Sequence, residues 1–492
     1  MNRISRPERW AGAALCAALC AFGRWAEAES PRPGEAVNAL LITVDDMNYN
    51  TPGFTGNPVP HITPHIDKLA TEGLWIRHAH VTVAICQPSR QCLMTGRYPH
   101  NNGAPGFDPI RADVPTLQEQ LRAAGYLNGI LGKVIHLCPR EKFCWDFAVD
   151  QADLGEGRDP ALYRKYVREF LAKAREAGKP FFLMANSHDP HRPFAGNDKG
   201  LRERAAKPFP EPDRAYRPAE AHMPGFLPDL PDIRLEVSEY YGSCRRADQT
   251  VGEVLRALSE SGFVDNTLVM FLSDNGMAFP FAKANCYLAS TRTPWLVRWP
   301  GRIKAGTIEE RQMVSGIDFM PTILDALGLK IPEGLDGRSI LPLLLGEKQA
   351  GRENVMTVIN TLSSKRPYPM RALQTPRFSY IYNSWSDGKT AYKNESMSGR
   401  TWKAMQGAAE TDERVAARTR LFQFRKGEEF YDLDADPDTL KNLAEDGQYR
   451  EPLREMRRLL EKEMAASRDP LLDGFRAYLR GKGEAVVPVQ RD

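Results

Sequence analysis

Four short apolar runs in this chain each end in side chains that can bind a cation or carry a proton. NALLITV (38–44) ends in Asp45-Asp46. NGIL (128–131) leads into Gly132-Lys133 and then His136. PFFLMANS (180–187) ends in His188-Asp189, and TLVMFLS (267–273) ends in Asp274-Asn275-Gly276. One acidic strand end is an ordinary helix cap; four polar clusters at the same end of one sheet point to a ligand site. Asp45, Asp46, Asp274 and Asn275 offer hard oxygen ligands without sulfur or imidazole, a set that suits Ca²⁺, with Mg²⁺ second, and not zinc. Lys133, His136, His188 and Lys283 are then cations or proton carriers beside a metal. Such a group fits an anionic substrate with a tetrahedral oxyanion centre, so phosphate and sulfate esters both qualify. Cys86 adds a nucleophile. In Cys86-Gln87-Pro88-Ser89-Arg90, Pro88 can open a helix as its first residue. Cys86 then sits at a helix N-terminus, where partial positive charge favours an anion or an activated thiol.

The elements that must position these groups follow from the pattern around them. Between residues 38 and 345, apolar β-rich runs alternate with helical stretches: ITPHIDKLATEG, TLQEQLRAAG, ALYRKYVREFLAKAREAG, a long one over 235–261, and IDFMPTILDALG. Gly at or just beyond the end of each is a helix C-terminal signal. Continuous apolar strands alternating with helices predict an α/β architecture, a large mostly parallel sheet with helices on both faces. Residues 207–232 are dense in Pro and read as a long ordered loop that shapes a pocket. After about residue 345, TVIN, MRALQT, FSYIYN and EEFYDLDADP read as short antiparallel strands, followed by a charged helix over 448–466. The expected division is a catalytic domain over 29–345 and a smaller C-terminal α+β domain over 346–492.

Residues 1–28 read as a signal peptide. Arg3, Arg6 and Arg9 precede the apolar run 11–23, and Ala26-Glu27-Ala28 offers small residues for cleavage. The run is too short to span a bilayer, which needs about 20 apolar residues. Export to a periplasm or the exterior is expected, with no membrane attachment after cleavage. The 492 residues carry 66 Lys+Arg against 63 Asp+Glu, so no basic excess predicts a nucleic-acid partner. Six cysteines remain beyond the signal; none has zinc-site spacing, and Cys138 and Cys144 stand close enough to close a small loop or to remain free thiols.

The segment from Cys86 continues to Thr95-Gly96-Arg97, and CxPSRxxxxTG with Asp45-Asp46 upstream resembles the signature of the type I, formylglycine-dependent sulfatases. The resemblance implies an alkaline-phosphatase-like fold over nearly the whole length beyond the signal. It implies that a formylglycine-generating enzyme oxidises Cys86 before folding. It also implies that Asp45, Asp46, Asp274, Asn275 and the modified Cys86 hold Ca²⁺. Arg90 then anchors the formylglycine hydrate, Lys133 and Lys283 bind the sulfonate, His136 partners the formylglycine hydroxyl, and His188 stands near the leaving atom.

Several stretches are similar to the sulfamidase (heparan N-sulfatase) branch: FFLMANSHDPHRPF, MPGFLPDLPDIR, YYGSCRRADQTVG, GFVDNTLVMFLSDNGMAFPFAKANCY and YPMRALQTPRFSYIYN. They imply removal of the N-sulfate from N-sulfoglucosamine at a non-reducing end, and a loop-walled pocket closed by a second domain adds the expectation of exo action. Three features depart from that branch: Lys283 replaces its Arg, the spacing in GKVIH is that of iduronate sulfatases, and Leu362-Ser363-Ser364-Lys365-Arg366-Pro367 before Tyr368 need not keep its sugar contacts. Asp189, His191 and Arg192 are expected pocket-wall residues, with a structural turn fixed by Pro190 and Pro193 as the other reading. Arg371 either reaches an anionic sugar or forms an ion pair. An O-sulfatase, a phosphonate monoester hydrolase or phosphodiesterase on the same fold, and a non-catalytic glycan binder with Cys86 as a thiol all remain open. The expected partners are a sulfated saccharide, the formylglycine-generating enzyme and, where the chain self-associates, a second copy in a homodimer.

Overall fold

A computed structural model describes residues 37–481, which fall in one compact unit. The expected signal peptide lies outside them. Twelve strands are described: β1 (Asn38–Val44), β2 (Leu74–His80), β3 (Leu127–Leu131), β4 (Phe147–Val149), β5 (Phe181–Asn186), β6 (Thr267–Ser273), β7 (Trp295–Arg298), β8 (Thr307–Ser315), β9 (Val355–Thr361), β10 (Pro367–Gln374), β11 (Phe378–Asn383) and β12 (Glu428–Asp432). The first eight form one sheet in the order β4-β3-β5-β1-β6-β7-β2-β8. Only the pairings of β7 are antiparallel. The last four form an antiparallel sheet in the order β12-β11-β10-β9. The α/β architecture with a smaller antiparallel sheet is therefore as expected.

Both faces of the large sheet are covered, as its continuous apolar runs require. Along β1, Leu40, Ile42 and Val44 enter one core with Tyr163, Val167 and Phe170 of helix Pro160–Ala177 and Val237, Tyr240 and Val251 of helix Pro231–Glu260. Ala39 and Leu41 enter the other core, with Leu117, Leu121, Phe319 and Ile323 of the helices on the opposite face. The first core continues into the small sheet through Met356, Val358, Tyr380 and Ile381.

The topology places the reactive groups. β3, β5, β1 and β6 are consecutive neighbours and all parallel, so the four polar segments that follow them emerge at one edge. Pro231, expected at the end of the Pro-rich loop, instead opens the long helix as its first residue, where no backbone N–H is needed. The start of the loop before it also braces the fold: the Phe209 ring lies under the Arg246 guanidinium, 4.9 Å from centroid to Cζ, and the Pro210 carbonyl accepts from the same arginine.

Arg371 is enclosed in the interior. It sits on β10, fully buried, with Nη2 donating to Asp469 Oδ1 at 3.1 Å and Nη1 to the Ile359 carbonyl. The structure thus makes it an interior ion pair and not a saccharide contact. Arg371→Ala is expected to destabilise the fold by about 3–5 kcal/mol, because Asp469 is left charged and unpaired in the interior. Urea unfolding measures this; a loss below about 1 kcal/mol contradicts it.

Candidate active site

The helix Cys86–Thr95 starts directly on Cys86, two residues earlier than the proline predicts. Pro88 falls inside the first turn, where its missing N–H would be unpaired in any case. All ten residues of this helix are buried. Burial pushes the Cys86 thiol up to about 12, with Lys283 pulling the other way. A free thiolate nucleophile is therefore disfavoured at neutral pH.

One turn along the helix, Arg90 is locked beneath the site. Its Nη1 donates to Thr43 Oγ1 and Asn186 Oδ1, both at 2.7 Å, and its Nη2 to Asp274 Oδ2 at 2.6 Å. Thr43 and Asn186, absent from the sequence-derived site, are the strand residues that hold it; no motif announces them.

Asp45 and Asp46 follow β1, with Asp46 at φ 73°, a left-handed conformation uncommon outside glycine. Lys133, after β3, is left-handed too, at φ 55°. The Lys133 ammonium sits on Asp45 Oδ2. Lys283 Nζ donates to Asp46 Oδ2 at 2.9 Å, and Asn275 Nδ2 donates to Asp46 Oδ1 at 2.7 Å. The Asp46 backbone N–H donates to Asp274 Oδ1 at 3.1 Å. Burial pushes the Asp46 carboxyl up to about 7 against the pull of Lys283. Burial also pushes the Lys133 ammonium down to about 7, with Asp274 resisting. For Lys283 burial is outweighed by the Asp46 and Glu395 carboxylates, which hold it above its ordinary value.

The same residues fit a hard cation. Asp45 Oδ1 and Asn275 Oδ1 are buried and have no hydrogen-bond partner among the described residues. Asp45, Asp46 and His191 can each bring one ligand atom within 4.8 Å of the others. Oxygen donors dominate this set.

Three histidines surround it. His188 follows β5; its backbone N–H donates to the Gly157 carbonyl at 2.9 Å, and its Nε2 is buried without a partner among the described residues. A Cβ at Gly157 would run into the His188 ring, so the glycine is required there. Burial, followed by Lys133 and Arg158, holds His188 well below its usual range, and burial does the same for His136. His191 Nδ1 lies 2.8 Å from the Arg192 carbonyl, and its Nε2 lies 3.2 Å from Glu395 Oε1 and 3.9 Å from Asp46 Oδ2.

Asp189, expected as a pocket wall, is occupied elsewhere, whereas Arg192 lines the cavity beside His191 while it holds Glu236. Asp189 is fully buried between Arg158 and Arg246, and Arg246 also reaches Asp198 at 2.8 Å. Arg158 further donates to the His191 and Arg192 carbonyls, which ties down the segment carrying the histidines. Arg192 pairs with Glu236 and donates to the Ala278 carbonyl. Only His191 of the three faces the cluster. Cys138 and Cys144 are free thiols.

Residues 37–329 match the family described as Sulfatase, and residues 278–382 match the one described as N-sulphoglucosamine sulphohydrolase, C-terminal. N-sulphoglucosamine sulphohydrolase of Homo sapiens is 31% identical over 474 residues, 88% of this chain and 91% of that protein. A structure solved in complex with its substrate D-glucosamine-2-N,6-O-disulfate superposes with a TM-score of 0.67 at 19% identity, over 89% of this chain and 99% of that one. The phosphonate monoester hydrolase of Agrobacterium radiobacter reaches 0.65 at 20% identity, over 88% and 96%; at that distance it shares the fold. Four parallel strand ends, a buried cysteine-led helix and these matches together establish that the chain is a hydrolase and belongs to the sulfatase family.

Proposed function

We propose that the chain is an exo-acting sulfamidase that removes the N-sulfate from non-reducing-end N-sulfoglucosamine of heparin or heparan sulfate. One observation carries the chemistry: Cys86 opens a buried helix whose Arg90 is tied to Asp274, at the edge where Asp45, Asp46, Lys133, His188 and Lys283 converge. The choice of sugar is supported by the match over residues 278–382, which contains both Lys283 and the strands β9 and β10.

In this reading a formylglycine-generating enzyme oxidises Cys86, and the hydrated aldehyde supplies one hydroxyl to attack sulfur and a second through which sulfate is expelled. Asp45, Asp46, Asp274 and Asn275, with residue 86, hold Ca²⁺, which supplies positive charge to the sulfonate. Lys133 and Lys283 neutralise the sulfonate oxygens, and Arg90 fixes residue 86. His136 faces the residue 86 hydroxyl. His188 supplies the proton for the leaving nitrogen once the anionic substrate offsets the burial and the Lys133 and Arg158 charges that hold its proton affinity down in the free site. Residues 29–345 carry this chemistry and 346–492 close the pocket. Residues 1–28 direct export to a periplasm or the exterior, or to a lysosome in a eukaryote. Among the described residues no helix is long and apolar enough to cross a membrane.

Singly sulfated heparin monosaccharides and disaccharides, with phenyl phosphonate alongside, test the proposal. Sulfate release from glucosamine N-sulfate is expected. Release only from an O-sulfated sugar makes the chain an O-sulfatase, with the GKVIH spacing as its sequence counterpart, and turnover of phosphonate far above sulfate makes it a phosphonate hydrolase.

A further inference from the structure

A cavity of about 570 Å³ opens beside the reactive edge, between the segment His191–Asn197 and the segment Glu395–Lys403, which lies in the connection from β11 to β12 of the small sheet. Its volume is within the range of small-ligand sites. Its carboxylates have different standing. Glu236 is committed to bracing: it pairs with Arg192 and accepts from the backbone N–H groups of Arg400 at 3.0 Å and Thr401 at 2.7 Å. Glu395 is not. It reaches Lys283 Nζ at 3.2 Å with Oε2 and stands 3.2 Å from His191 Nε2 with Oε1, yet its side chain is 35% exposed toward the cavity. A carboxylate has about four acceptor sites, so Glu395 keeps unused ones on the open side. Lys283 has three donors; Asp46 and Glu395 take two and leave one for an incoming anion.

A carboxylate held this close to the proposed sulfonate lysine, with acceptor sites left on the cavity side, is placed to meet the rest of the substrate. We infer that Glu395 is a specificity-determining residue, which accepts hydrogen bonds from hydroxyls of the sugar bearing the scissile group and rejects a second sulfate at those hydroxyls. The inference rests on the proposed function and names the sugar pattern the site takes. A hydroxyl donates to Glu395; a sulfate in its place brings a second anion against it and offers no donor.

The test compares N-sulfoglucosamine with its N,3- and N,6-disulfated forms, for the wild-type enzyme, Glu395→Gln and Glu395→Ala. Wild type is expected to prefer the monosulfate over at least one disulfate by about 100-fold in kcat/KM, with both variants narrowing that ratio by about 10-fold. Melting temperature in the presence of Ca²⁺ confirms that the variants are folded. A wild type without preference overturns the inference. So does a loss in both variants that is equal for mono- and disulfated sugars, the outcome of a mere counter-ion to Lys283. If N-sulfoglucosamine is untouched and an O-sulfated glucosamine is cleaved, the sulfamidase reading fails; the ratio, read on that sugar against its disulfated form, still decides the role of Glu395.

Discussion

Cys86→Ala is expected to abolish sulfate release while leaving the fold and saccharide binding in place. Alanine fits where the buried cysteine sits, and neither Lys133, Lys283 nor Arg90 uses the thiol as a hydrogen-bond partner. Without a nucleophile only positioning and charge stabilisation remain, so the fall in kcat is expected to be on the order of 10⁴-fold or more. Cys86→Ser separates two mechanisms. A simple hydroxyl can attack sulfur, but the product is a stable sulfate ester with no second hydroxyl to expel it, so at most one turnover is expected. The intact mass of the serine variant after substrate addition should rise by one sulfonate. Multiple turnover by either variant would sink the assignment of residue 86. So would fully active native protein whose Cys86 peptide carries only a thiol by mass spectrometry.

The second large effect is expected at Asp274, which carries two loads. Its Oδ1 accepts the Asp46 N–H and its Oδ2 holds Arg90, and neither side chain of the Arg90–Asp274 pair is exposed at all. Asp274→Ala therefore removes a proposed calcium ligand and strands a guanidinium in the interior. A cost of about 3–5 kcal/mol in stability is expected from the second effect. Wild type is expected to gain about 2.7 kcal/mol from Ca²⁺ at a hundred times its Kd, and the variant to lose that increment as well. Denaturant unfolding with calcium and with chelator reads both, independently of activity. Asp45→Ala is the partner experiment, because it removes a ligand without stranding Arg90. A variant at Asp274 that keeps its stability and still responds to calcium contradicts the assignment.

Most of the reactive edge was legible in the sequence because parallel strands concentrate it. Each of β1, β3, β5 and β6 is a fully buried, mainly apolar run, and the charged residues that end the run are the ones displayed at its carboxyl end. The strands without such a run were not legible. β2 reads LWIRHAH and β8 reads TIEERQMVS, with β8 at the sheet edge where one flank needs no apolar side chains. The helices Arg400–Ala408 and Glu413–Phe424 were missed as well, since neither carries a cap-to-glycine frame. Charge pairing was the least legible feature. Arg371 with Asp469, Arg192 with Glu236 and Asp189 with Arg158 and Arg246 join positions 31 to 98 residues apart. A sequence displays the charges but not which ones neutralise each other. Glu395 lies in no motif and becomes visible only when its segment is folded back against the segments carrying Lys283 and His191.

The complete burial of helix Cys86–Thr95 sets a clock. An enzyme that oxidises Cys86 needs the residue in extended, reachable chain, and the packed helix offers none of it. Under the proposed conversion of Cys86, oxidation must win a race against collapse of the large sheet, and a molecule that folds first is left without the proposed nucleophile. The active fraction of a preparation would record the relative rates of synthesis, modification and folding rather than the quality of the folded protein. Slower translation or a lower growth temperature should raise specific activity without changing the melting curve.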